Sequence, residues 1–147
     1  MIHLIYNLFA YPSAWLTAVF HGAGMVPDQG GEVWILLEPR PIHVTLGCSG
    51  FGFFALLGFY TLTVLARGGS RRRAWKAACW VIPTVYLTTI FANAARMTCA
   101  YHVACLSRAL FPAYFQPVIH MAVGIAVFLG VLIVSHLVTE RFGFYEQ

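Results

Sequence analysis

The chain has 147 residues, of which 60% are hydrophobic and 10% charged, with a net charge of +4. That balance excludes an ordinary soluble domain and suits a chain that uses lipid as its solvent. Nor is the positive charge a nucleic-acid footprint, because most of it sits in one short stretch, ARGGSRRRAWK, with Arg67, Arg71, Arg72, Arg73 and Lys76.

Four apolar stretches, residues 2–20, 47–66, 74–95 and 117–139, each approach the ~20 residues a spanning helix needs. Backbone groups in lipid must be satisfied internally, so the expected fold is all-α, a polytopic membrane bundle of about four transmembrane helices. The first stretch carries Pro12 and Ser13, expected to kink it or to mark its boundary early. It lacks a basic leading region and a clear small-x-small site, so it is read as a retained span rather than a cleaved signal peptide. Its exit, HGAGMVPDQGGE, reads as a short extracytoplasmic loop before the second span. The runs VWILL and PIHVTLG come next, and Pro39 and Pro41 favour extended backbone there. They are expected to form a small interfacial hairpin or to lie against the bundle.

The basic stretch between the second and third spans predicts a cytoplasmic loop. The start of the second span, the end of the third and the start of the fourth then share the outer face. The third span contains Pro83, and the fourth follows FPAYFQP with Pro117 in its first turn. Tyr101, Phe111, Tyr114 and Phe115 suit a membrane interface. With no internal repeat, low-complexity tail or charged linker, residues 1–147 read as one integral membrane domain in the cell membrane.

This topology brings a thiol, a guanidinium and an imidazole to one depth: Cys48 opens the second span, Arg96 closes the third and His120 opens the fourth. A cysteine at a helix start feels the positive end of the helix dipole, which favours thiolate. The plain alternative is a small apolar residue in a buried helix. Asn93 and Arg96 share a helix face; Arg96 can anchor a carboxylate or stabilise an oxyanion, or can snorkel to headgroups. His120, with Gly124 four residues on, can take a thiol proton and return it to a leaving amine, or can be an interfacial His bonded to a loop carbonyl. His3, His21, His43, His102 and His136 belong to that second class. Cys48, Cys79, Cys99 and Cys105 form no C-x-x-C pair and no zinc-finger spacing, so neither metal nor cofactor is expected.

Taken together, GCSG, NAAR and HMAVG resemble the signature of the exosortase/archaeosortase family, over residues 45–128. The resemblance implies a membrane-embedded cysteine protease or transpeptidase with its site on the extracytoplasmic side. Its partners would be exported proteins ending in a short motif, a transmembrane segment and a basic tail, with a lipid or polysaccharide acceptor. It implies Cys48 as nucleophile forming a thioester, Arg96 as stabiliser of thiolate or oxyanion, and His120 as the third motif position. Asn93, Ser49, Gly50 and Gly124 stand in support. The chain departs from the family in its shortness, many members having more spans, which bears on the substrate groove and acceptor handling.

Two other classes compete. A four-helix thiol–disulfide oxidoreductase linked to a quinone would use Cys99 and Cys105, read here as sharing the outer loop near Cys48. A helical scaffold or haem carrier would need paired histidines, and His120 and His136 lie toward opposite ends of one helix.

Overall fold

The computed structural model describes residues 2–28, 30–67, 71–107, 112 and 115–141, and their side chains except those of 65–67, 71–78, 139 and 140. The loop aromatics Phe111 and Tyr114 lie outside the described residues, as do the basic side chains behind the inside assignment (Arg67, Arg71, Arg72, Arg73 and Lys76).

The chain is mostly helical. It begins with helix α1 (Ile2–Ile5), a π-helical turn (Tyr6–Ala10) and α2 (Tyr11–His21), which follow one another without a break. Pro12 explains the wide turn. It has no N–H for the carbonyl of Leu8 four residues back, and the Tyr11 N–H reaches Tyr6 instead. The Tyr86 hydroxyl, 2.6 Å away, donates to the freed Leu8 carbonyl. Helix α2 ends at Gly22, whose left-handed backbone (φ 61°) lets the Ala23 N–H bond the Ala18 carbonyl at 2.9 Å.

Strands β1 (Gly24–Pro27), β2 (Val33–Leu36) and β3 (Ile42–Val44) form one antiparallel meander. Met25 pairs with Ile35, and Ile35 with Ile42. This sheet corrects the all-α expectation. The VWILL run is too short for a span, and its side chains alternate: Val33 and Ile35 are buried while Leu36 is exposed. With Val44 the buried pair packs on Tyr6, Ala10, Ala14, Ala18 and Met97. Burying one face of an otherwise marginal sheet on helices stabilises it.

A 3-10 turn (Leu46–Cys48) leads into α3 (Phe51–Arg67). Helix α4 (Arg71–Ser107) follows, then α5 (Gln116–Arg141). The 37 residues of α4 make a helix of about 55 Å, well beyond a ~30 Å hydrocarbon core. It is the hub, packing on α2, α3 and α5. Where α2 meets α4 the Thr17 hydroxyl lies 3.5 Å from the Ala94 carbonyl.

Two segments, Leu46–Val64 and Gln116–Val138, are long and apolar enough to cross a membrane. Little of either segment is buried, 22% and 6% respectively. Phe59, at 70% exposure, shows the pattern: large apolar side chains face outward. The expected four-helix membrane bundle is thus met in part, with two qualifying helices among the described residues.

Two boundary expectations are also corrected. Cys48 does not begin a helix: it ends the 3-10 turn, and α3 starts at Phe51. Arg96 does not close its helix: α4 continues to Ser107, so Cys99 and Cys105 lie on it rather than in a loop. Six helical residues separate those two by about 9 Å of rise alone, beyond the reach of a disulfide.

Candidate active site

Cys48 is held by the turn that precedes α3. The Thr45 carbonyl accepts from the Cys48 N–H at 2.9 Å, and the Leu46 carbonyl from the Ser49 N–H at 3.0 Å. The Thr45 hydroxyl lies 3.9 Å from the Cys48 thiol. Ser49, itself buried, accepts from the Phe51 N–H at 3.3 Å and so caps the start of α3. Between cap and helix, Gly50 takes φ 69°, a left-handed backbone that glycine adopts without cost. A β-carbon there would lie 3.3 Å from Asn93 Cγ and 3.5 Å from Thr89, so the absent side chain is what lets this turn lie on α4.

That contact carries a hydrogen-bond chain. Asn93, wholly buried, donates its side-chain amide to the Cys48 carbonyl. Its Oδ1 accepts from Arg96 Nε at 3.0 Å. The i, i+3 spacing puts Asn93 and Arg96 on one face of α4, and that face meets the cysteine turn. The Arg96 guanidinium lies 5.8 Å from the Phe128 ring centre of α5, a cation–π distance. Gly124, one turn earlier on α5, makes room for it: a β-carbon there would come within 3.3 Å of Arg96 Cδ. Gly124 therefore admits Arg96 to the face of α5.

Cys48 and His120 line one cavity of about 520 Å³, together with Met97, Tyr101 and Cys105. Its lining is largely apolar and also includes Pro39, Arg40 and Pro41 from the loop between β2 and β3. Arg96 does not line this cavity. It lines a second one, of about 380 Å³, at the start of α3 with Ser49, Gly50, Gly52 and Phe128. The three expected residues thus divide: Cys48 and His120 share a space, and Arg96 reaches Cys48 through Asn93.

Sequence reasoning missed Thr45, Thr89, Tyr101 and Phe128 as members of this neighbourhood. Phe128 had a legible signal, lying four residues after Gly124 and so on the same face of α5. Thr89 had a similar one, four residues before Asn93. Among the described residues no group of His, Cys, Asp and Glu is placed to hold a metal ion. No protein-family model, no curated protein and no solved structure matches this chain.

Proposed function

We propose that this chain is a multi-pass membrane enzyme of the exosortase kind, a cysteine-dependent peptidase or transpeptidase acting on the C-terminal anchor of exported proteins. The observation that carries this reading is the chain from Cys48 through Asn93 to Arg96, which ties three motif positions from two segments into one hydrogen-bonded unit. Polar groups are costly in such a setting and are kept where they serve a site. Counting the continuous helical segment from Ile2 to His21, four helices would cross the bilayer. The basic loop would lie inside and Cys48 at the outer face.

In this reading the thiolate of Cys48 attacks the scissile carbonyl, its proton having passed to His120 across the shared cavity. The S–C bond forms, the C–N bond breaks, and His120 returns the proton to the leaving amine, giving a thioester. Water or an acceptor nucleophile, from a lipid or a polysaccharide, then attacks the thioester and frees the thiol. Arg96 works through Asn93 and through its charge, which favours thiolate and the oxyanion alike. The largely apolar lining of the cavity suits a segment leaving the bilayer.

The second reading, a quinone-linked thiol–disulfide oxidoreductase, draws on one observation: Cys105 lines the same cavity as Cys48. One experiment separates the two. Cells carrying the protein and an exported substrate with a C-terminal anchor are examined for the precursor-to-product mass shift. Shift in the wild type and none in Cys48→Ala supports the peptidase; equal dependence on Cys105 supports the oxidoreductase.

A further inference from the structure

The second cavity contains a charge with an unused donor. Arg96 is 8% exposed, and its Nε is taken by Asn93. Its Nη2 is buried and has no hydrogen-bond partner among the described residues. No carboxylate lines the cavity that Arg96 borders. A buried guanidinium left without an anion is unfavourable, and the fork geometry suits an oxyanion with several acceptor oxygens.

The start of α3 supplies the remaining donors. Ser49 takes the Phe51 N–H and Gly50 the Phe54 N–H, leaving those of Gly52 and Phe53 without partners inside the helix. Free N–H groups and the helix dipole favour an anion at this end. Gly52 keeps the approach open, since a β-carbon there would meet nothing within 4 Å. The rim is apolar, with Ile5, Phe51 and Phe128 around the donors.

We infer that Arg96 and the start of α3 form a binding site for a phosphate group. Donors from two directions call for a tetrahedral anion rather than a planar carboxylate. The apolar rim, beside helices whose outer faces are apolar, fits the headgroup of an anionic phospholipid with its acyl chains along Ile5 and Phe51. This goes beyond the peptidase reading and needs none of its chemistry, because it concerns the cavity at the start of α3 rather than the one shared by Cys48 and His120.

The test uses the full chain in neutral detergent, both wild type and Cys48→Ala, with native mass spectrometry counting retained phosphatidylglycerol. One phosphatidylglycerol per chain is expected in both. Gly52→Leu, which fills the cavity and leaves Arg96 in place, should lower retention at least tenfold, and Arg96→Gln should do the same. Millimolar inorganic phosphate distinguishes the sources: resistance to it assigns the site to lipid, and displacement of the lipid by it assigns the site to free phosphate. Equal retention by the wild type and Gly52→Leu, or no retained lipid and no bound phosphate in the wild type, overturns the inference. Because the Cys48→Ala chain is measured alongside, failure of the peptidase reading leaves this result readable.

Discussion

The side-chain amide of Asn93 donates to the main-chain carbonyl of Cys48, 45 residues earlier in the chain, at a point where Asn93 has no exposure to solvent. The bond sets the height of the cysteine turn against α4. Because the same side chain also accepts from Arg96, displacing Asn93 disturbs the thiol and the guanidinium together.

Asn93→Ala should therefore be costly in both stability and function. Each buried group left unsatisfied costs about 1–3 kcal/mol, and two are left here, the Cys48 carbonyl and Arg96 Nε. Asn93→Asp keeps the Arg96 partner but loses the donor to Cys48, so it should fold and process substrate poorly. Thermal unfolding in detergent and the substrate mass shift measure the two effects; wild-type values for Asn93→Ala would remove Asn93 from the site.

Cys48→Ala should abolish processing, and Cys48→Ser should come close to it, because a hydroxyl is the poorer nucleophile at neutral pH. Cys79→Ala, Cys99→Ala and Cys105→Ala should each retain processing. Loss in Cys105→Ala with normal expression would move the assignment to the oxidoreductase.

Arg96→Lys should assemble and lose activity by about 10²-fold, the scale of misplacing a site group by an ångström, because its link through Asn93 to the cysteine turn is disturbed. A lysine keeps the charge but has no planar fork to bond Asn93 while presenting further donors. Near-normal turnover in this variant would reduce Arg96 to a source of positive field.

Two glycines should respond differently to alanine. Gly50→Ala combines a left-handed backbone, about 1–2 kcal/mol for a residue with a β-carbon, with the close approach to Asn93. It should lower the melting temperature. Gly124→Ala meets the flexible stem of Arg96, so it should leave stability nearly unchanged and reduce processing by shifting the guanidinium. A chain insensitive to both would show that neither approach matters.

In a chain whose only cysteine is Cys105, an impermeant maleimide should label intact cells. With Ser70→Cys as the only cysteine, labelling should require permeabilised membranes. The opposite pattern would invert the topology and place Cys48 inside.

Much of the helical character was legible in one dimension, because a segment that must satisfy its backbone in lipid shows as a long apolar run. The segments 47–66 and 117–139 are close to the two segments long and apolar enough to cross a membrane. The sheet was less legible. Its strands are three and four residues long, and their alternation has meaning only once α2 and Met97 supply a surface to bury against. The end of α4 was misplaced for a related reason: hydropathy falls after residue 95, but a helix packed on its neighbours need not stop where its apolar run stops.

By itself the sequence determined the residue types available for chemistry and the i, i+3 pairing of Asn93 with Arg96. Only the tertiary structure decided that Asn93 stands between Cys48 and Arg96, that His120 shares its cavity with the thiol, and that Arg96 lines a second cavity at the start of α3. The physical reason is that a hydrogen bond depends on distances between side chains on different helices. Those distances are set by packing, here by Gly50 and Gly124 admitting their neighbours, and packing has no counterpart in the spacing of residues along one chain.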